Sequence, residues 1–87
     1  MSMILTYRFQ NNNEEKLTVI IEPWAEEFDV PPKSILGLSI AYDRPGLIDT
    51  EINPKYFVIW LWAGCCVQVS LDGKDLPTGS LTIPAFG

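Results

Sequence analysis

Four carboxylates lie close together in one short stretch, EPWAEEFDVPP, at residues 22–32. They are Glu22, Glu26, Glu27 and Asp29. A pair of carboxylates can act as general acid and general base, and a group of them can hold Ca²⁺ or Mg²⁺ through oxygen. The same side chains can form an acidic edge that recognises a cationic protein, or the solvated rim of a rigid corner. The sequence leaves these three interpretations open.

The rest of the composition removes most other chemistry. The 87-residue chain has no histidine, which excludes Ser-His-Asp and Cys-His catalytic sites and histidine-based metal sites. Cys65 and Cys66 are adjacent, so on a strand they point to opposite faces and form a disulfide only with difficulty. The sequence contains no glycine-rich phosphate-binding pattern. We therefore predict no catalytic residue, no metal and no cofactor, and we favour a non-enzymatic interaction or structural module over a carboxylate-metal hydrolase.

The charge balance indicates which partners suit the chain. Six basic residues, scattered singly, face eleven acidic ones, and the net charge is −5. Such a chain repels nucleic acid and anionic membranes, so we predict that it binds neither. It suits a cationic protein partner, as in an acidic inhibitor or immunity-type protein. The sequence shows no signal-peptide pattern and no apolar run long enough to span a bilayer, and we expect a soluble, cytoplasmic protein.

Apolar and proline residues around the four carboxylates predict how the stretch is anchored. The anchoring residues are Pro23, Trp24, Phe28, Pro31 and Pro32. Pro23 cannot donate to a sheet ladder and ends the preceding strand, although it can also open a helical turn. If the stretch is extended instead, Glu27 and Asp29 share one face, and Val30 points to the other face with Phe28.

Alternation of apolar and polar residues predicts strands through most of the chain. The predicted strands are 4–9, 16–22, 34–43, 56–62, 65–71 and 80–84. Because no segment keeps a period of 3.6, we predict one all-β domain over residues 1–87, a small antiparallel sandwich or barrel-like domain of six or seven short strands.

The turns between these segments predict how the strands are paired. The first two strands are expected to form an N-terminal hairpin, and residues 56–71 a central hairpin that turns at Ala63-Gly64. Asp72-Gly73 predicts another hairpin turn rather than a calcium loop, because most calcium ligands are missing there. Residues 44–54 are predicted to be a loop.

The segment 56–62 is apolar on both faces and predicts self-association. One face is Tyr56, Val58, Trp60 and Trp62, and the other is Phe57, Ile59 and Leu61. A domain of this size can cover only one such face well, so we predict a symmetric homodimer through the other. The sequence does not decide between the faces; the first set is the leading interface candidate.

Two motifs, IIEPWAEEFDVPPKS and WLWAGCCVQVSLDGKDL, resemble a pattern shared by a group of small uncharacterised bacterial proteins. That pattern is E-P-W-[AG]-E-E-[FY]-x-[VIL]-P-P-G, followed by a W-x-G-x-x-V-x-V strand that ends in D-G. The resemblance covers most of the chain and implies no catalytic role. Lys33 stands where the group tends to have glycine. Because lysine resists a positive φ, we predict that no type II turn places Lys33 at its third position.

Overall fold

The computed structural model describes residues 3–77, 79–82 and 84–85, and in them two four-stranded β-sheets enclose one apolar core. The strands are β1 (Met3–Gln10), β2 (Leu17–Glu22), β3 (Glu26–Val30), β4 (Ile35–Tyr42), β5 (Asp49–Ile52), β6 (Tyr56–Trp60), β7 (Cys66–Leu71) and β8 (Lys74–Asp75). A 3-10 turn covers Gly79–Thr82. Sheet A has the order β1-β4-β7-β8, and sheet B has the order β3-β2-β6-β5. The all-β prediction is confirmed, with eight strands instead of six or seven.

The core forms where the alternating residues of both sheets meet. Val19 and Ile21 of β2, in sheet B, and Leu38 and Ile40 of β4, in sheet A, belong to this core, and all four are at most 1% exposed. The other members of this buried cluster are Val30, Leu36, Ile59, Leu61, Cys65, Val67, Val69 and Leu81. Full burial of an aliphatic side chain contributes about 1.5–3 kcal/mol, so these positions hold the two sheets together.

The predicted hairpins at 4–22 and 56–71 are wrong. β1 pairs with β4, and β2 pairs with β3 and β6, so the chain crosses from sheet A to sheet B after β1. Likewise β6 lies in sheet B and β7 in sheet A. The alternation of apolar and polar residues predicts which side chains of a strand face inward. It does not predict whether two successive strands pair in one sheet or lie in facing sheets, because the alternation is the same in both cases. The β2–β6 pair is also parallel, against the antiparallel prediction.

Two further segments differ from the prediction. Residues 49–52, predicted within a loop, form the edge strand β5 against β6 although all four are exposed. Their strand conformation comes from backbone pairing with β6, because their side chains show no apolar alternation that would predict a strand. The predicted strand 80–84 is instead a 3-10 turn at residues 80–82, with Leu81 buried, and Pro84 belongs to no strand; Ile83 lies outside the described residues.

The segment 56–62 is covered on one face only. β6 ends at Trp60, and Ile59 and Leu61 face the chain's own core, so the alternative interface of Phe57, Ile59 and Leu61 is wrong. On the opposite face Tyr56 is 45% and Trp60 40% exposed. In the described part of the chain, no helix has the length and apolar character needed to cross a membrane.

The prediction about Lys33 is also wrong. Its φ is 68°, and the backbone N–H of Ser34 donates to the carbonyl of Pro31 at 3.1 Å, so Lys33 is the third residue of a β-turn. Three hydrogen bonds hold it there. Its N–H donates to the carbonyl of Asn11 at 2.6 Å, its carbonyl accepts from Nε2 of Gln10 at 3.0 Å, and its Nζ donates to the carbonyl of Asn12 at 3.1 Å.

Asn11 is the buried polar residue that joins this turn to the rest of the sandwich. It is 2% exposed, and its Nδ2 donates to the carbonyls of Glu15 and Val30, both at 2.9 Å. Its Oδ1 accepts the N–H of Asn13 at 2.9 Å. A buried amide with all its partners fixes three backbone segments at once, at the points where β1 and β3 end and β2 begins.

We expect Asn11→Ala to lower the free energy of unfolding by about 2–4 kcal/mol, because it removes three hydrogen bonds and leaves a buried carbonyl without its donor. Urea denaturation measures the loss. The matched control is Asn12→Ala at the exposed neighbour, which we expect to change stability by less than about 0.5 kcal/mol. Equal effects of the two substitutions would contradict the role assigned to Asn11.

We expect Lys33→Gly to be more stable than Lys33→Ala by about 1 kcal/mol, because both variants lose the Nζ hydrogen bond but only glycine accepts a φ of 68° without strain. Thermal and urea denaturation of the two variants measure the difference. If alanine is as stable as glycine at this position, the left-handed conformation of residue 33 is not the source of strain.

Candidate functional site

The stretch EPWAEEFDVPP forms the β2–β3 hairpin. Residues 23–25 make the turn between Glu22 and Glu26, and Ala25 adopts a φ of 61°. The stretch is therefore extended and does not form the helical turn considered from the sequence. Trp24 and Phe28 pack against the core, whereas the remaining anchor candidates, Pro23, Pro31 and Pro32, are exposed in the turns before and after β3.

The strand register divides the four carboxylates between two faces. Residues directly opposite each other in a ladder share a face. Glu27 pairs with Ile20, and Asp29 pairs with Thr18, on the outer face of sheet B. Glu22, at the end of β2, is on that face as well. Glu26 lies opposite Ile21 on the inner side and approaches the 3-10 turn, where a Cβ on Gly79 would lie 3.0 Å from its Oε1.

β5 brings two further carboxylates to the outer face of sheet B. Asp49 pairs with Trp60, and Glu51 pairs with Val58. Val58 in turn pairs with Ile20, so a single row across the sheet reads Glu27, Ile20, Val58, Glu51. Neither acid could be placed on this face from the sequence, because their position depends on the pairing of β5 with β6.

We call this surface the acidic face. Its centre is Ile20, Tyr56, Val58 and Trp60, and its carboxylates are Glu22, Glu27, Asp29, Asp49 and Glu51. Within the described residues, the one ion pair is that of Lys16 with Asp29, at 3.4 Å and with both side chains more than half exposed. Such a pair contributes about 0–1 kcal/mol. The face therefore combines an aromatic and aliphatic centre with carboxylates on both flanking strands.

The carboxylates of the acidic face are spread over three strands, β2, β3 and β5. No group of three or more Cys, Asp or Glu side chains among residues 3–77, 79–82 and 84–85 is placed to hold a metal ion. Glu27 and Glu51 stand at opposite ends of a row of four strands, about 14 Å apart at a strand spacing of about 4.8 Å. The geometry gives no support to a carboxylate-metal hydrolase.

Trp62 does not lie on the acidic face with the other interface candidates. It follows the end of β6, and its Nε1 donates to the carbonyl of Arg44 at 2.7 Å. Its ring packs edge-on against Tyr42 with centroids 5.3 Å apart. A Cβ on Gly46 would lie 2.3 Å from the indole, so only glycine permits this contact. Trp62 therefore holds the 43–48 connection in place.

The two cysteines are separated as predicted, on opposite faces of sheet A. Both are free thiols, with Cys65 buried in the core and Cys66 half-buried on the outer face. Burial raises the pKa of the Cys65 thiol, which disfavours the reactive thiolate.

The predicted hairpin turn at Asp72-Gly73 is confirmed between β7 and β8. The two residues have φ values of 50° and 85°, typical of a type I′ turn. Oδ1 of Asp72 accepts the N–H of Ile35 at 2.8 Å, so the carboxylate is engaged in a structural contact. This N–H, together with the side chain of Ser34, lowers the pKa of the Asp72 carboxyl.

Comparisons of the chain with protein-family models, with curated proteins and with solved structures give no match.

The lowered pKa of Asp72 predicts a pH dependence of stability. A carboxyl whose pKa is lower in the folded state than in the unfolded state stabilises the fold above its unfolded pKa. This stabilisation is lost as the pH falls through the folded pKa, below the ordinary range of an aspartate. Asn at position 72 keeps an oxygen acceptor and tolerates the positive φ but cannot titrate. We therefore expect Asp72→Asn to unfold with a shallower acid dependence than the unsubstituted chain in urea denaturation between about pH 5 and pH 2. Identical slopes would contradict the effect assigned to Asp72.

Proposed function

We propose that the chain is a non-enzymatic interaction module that binds a cationic protein partner through the acidic face. The observation that carries the proposal is the strand register of sheet B, which places exposed Trp60 and Tyr56 between two strands whose outward side chains are acidic. Aromatic residues at the centre of a surface patch, surrounded by polar groups that limit water access, are typical of binding hot spots.

The charges of the acidic face favour an unlike partner over a second copy. A two-fold axis through this face would bring its five carboxylates against five identical ones. Two unit charges about 4 Å apart repel each other by about 1 kcal/mol in water and by more near a protein surface. Repulsion between the flanking carboxylates therefore disfavours a homodimer through Tyr56, Val58 and Trp60. Lysine and arginine residues on a different partner would instead be attracted.

The shape of the face limits the partner further. The apolar centre is two strands wide, and acids occupy the strand on each side. A matching surface has an apolar middle about 10 Å wide with basic residues on both sides. The chain would act as an acidic inhibitor if the partner also uses that surface for its own activity. We place this role in the cytoplasm, whose reducing conditions suit two free cysteines, and we propose the same role for the bacterial proteins with the shared motif.

A synthetic peptide of alternating lysine and valine tests the proposal as a defined cationic and apolar probe. We expect it to bind the chain with an affinity that falls as salt is added, measured by titration calorimetry. The double substitution Glu27→Lys with Glu51→Lys should weaken binding by at least about tenfold, because it reverses both ends of the central row. Trp60→Ala should weaken it by about tenfold as well, through loss of the aromatic centre.

The control is Glu14→Lys with Glu15→Lys, two exposed acids in the connection between the sheets. It changes the net charge by the same amount and leaves the acidic face intact, so we expect an affinity within about threefold of the unsubstituted chain. If the two double variants weaken binding equally, the peptide responds to net charge alone and the acidic face is not a binding surface.

A further inference from the structure

Within the described residues, β1 is an edge strand with no other strand paired to its outer side. The described residues form four edge strands, β1 and β8 in sheet A and β3 and β5 in sheet B. Sheet edges offer unpaired backbone groups, and proteins commonly protect them with charge or keep them short. β8 has two residues, whereas β3 and β5 have five and four residues with acidic side chains among them. β1 has eight residues, MILTYRFQ, and its sequence contains no acid although the chain has a net charge of −5.

The hydrogen bonds around β1 show which of its backbone groups face outward. The N–H of Asn11 donates to the carbonyl of Ser34, next to the Gln10–Ile35 pair at the end of the β1–β4 ladder. In an antiparallel pair such bonds recur at every second residue, so the odd-numbered residues of β1 bond to β4. The backbone groups of Ile4, Thr6, Arg8 and Gln10 therefore point to the open edge.

The same edge exposes a continuous apolar segment. Met3, Ile4 and Leu5 are 56%, 69% and 37% exposed. On the inner side of β1, burial increases along the strand towards Phe9, whose ring contacts Phe57 with centroids 4.9 Å apart. Sheet B therefore packs against the second half of β1 and leaves the inner side of the first half partly exposed.

We infer that two copies of this chain associate by antiparallel pairing of β1 with β1 around a two-fold axis at Thr6, which joins the two A sheets into one. This register places Thr6 opposite Thr6 of the partner subunit and Ile4 opposite Arg8 of the partner subunit. It pairs three of the four outward-facing positions, Ile4, Thr6 and Arg8, and it brings Met3 and Leu5 beside the aromatic residues of the second strand. A register centred on Tyr7 would place Met3 opposite Asn11 of the partner subunit, away from the aromatic residues, and bring the two arginines to diagonal positions about 7–8 Å apart.

The absence of acidic residues from β1 makes a second copy of the chain a suitable partner for this edge. An acid-free strand can meet itself without the repulsion that opposes self-pairing of β3 or β5. The pairing leaves the acidic face free, because that face belongs to sheet B. The inference is therefore independent of the proposed function, and each can fail without the other.

Sedimentation velocity across about 10–300 µM protein tests the pairing, a range in which weak specific dimers are detected. We expect the unsubstituted chain to form a dimer. Thr6→Lys and Thr6→Glu should each weaken dimerisation by at least about tenfold, since each places two like charges opposite each other. An equal mixture of the two variants should restore dimerisation, because lysine then faces glutamate. This recovery also shows that both variants fold.

The controls are Gln68→Lys and Gln68→Glu, which make the same charge changes in the same row of sheet A, two strands away from the edge. We expect both to dimerise as the unsubstituted chain does. A chain that remains monomeric throughout the range overturns the inference, and the edge would then suit an extended strand of a different protein. Stronger dimerisation of Thr6→Glu alone overturns the Thr6 register, because glutamate would then face Arg8 of the partner subunit. Equal losses at positions 6 and 68 would contradict edge pairing.

Discussion

Two central strand pairings, β2 with β6 and β4 with β7, hold this molecule together. In both sheets the first four strands of the chain lie on one side of the central pairing and the last four on the other. The first half contributes the pairs β1–β4 and β2–β3, and the second half contributes β5–β6 and β7–β8. Side chains on the central strands, among them Ile21, Ile40 and Ile59, are completely buried. The core therefore exists only when both pairings are made.

The sequence predicted the inward-facing residues well and the strand neighbours poorly. β2, β4 and β7 lie where the alternation placed them, because their inner residues are fully buried and a shift by one residue would expose all of them. The neighbours of each strand depend on contacts between distant segments, which a local pattern does not contain. β5 is the clearest case, because DTEI has no apolar alternation and acquires its strand conformation from β6.

The candidate site, likewise, was predictable from the sequence only where it depends on local alternation. The shared face of Glu27 and Asp29 follows from an extended conformation, which the sequence analysis considered. The contribution of Asp49 and Glu51 follows from a register that only the structure gives. The outer face of sheet A differs from the acidic face, because the uncharged polar residues Thr6, Ser39 and Gln68 form one row across it. The two sheets therefore present surfaces with different chemistry, although they share one core.

The division of both sheets at their centres also bears on how the chain folds. Neither half can bury its apolar residues alone, and their separation turns β2, β4, β6 and β7 into edge strands with apolar side chains and unpaired backbone. A half-folded chain can then complete its sheets with its own second half or with that of a neighbouring chain, as in domain swapping. The 43–48 connection carries the chain from one half to the other. The hydrogen bond of the Trp62 indole to Arg44 and its contact with Gly46 fix the direction of this connection, and so favour completion within a single chain.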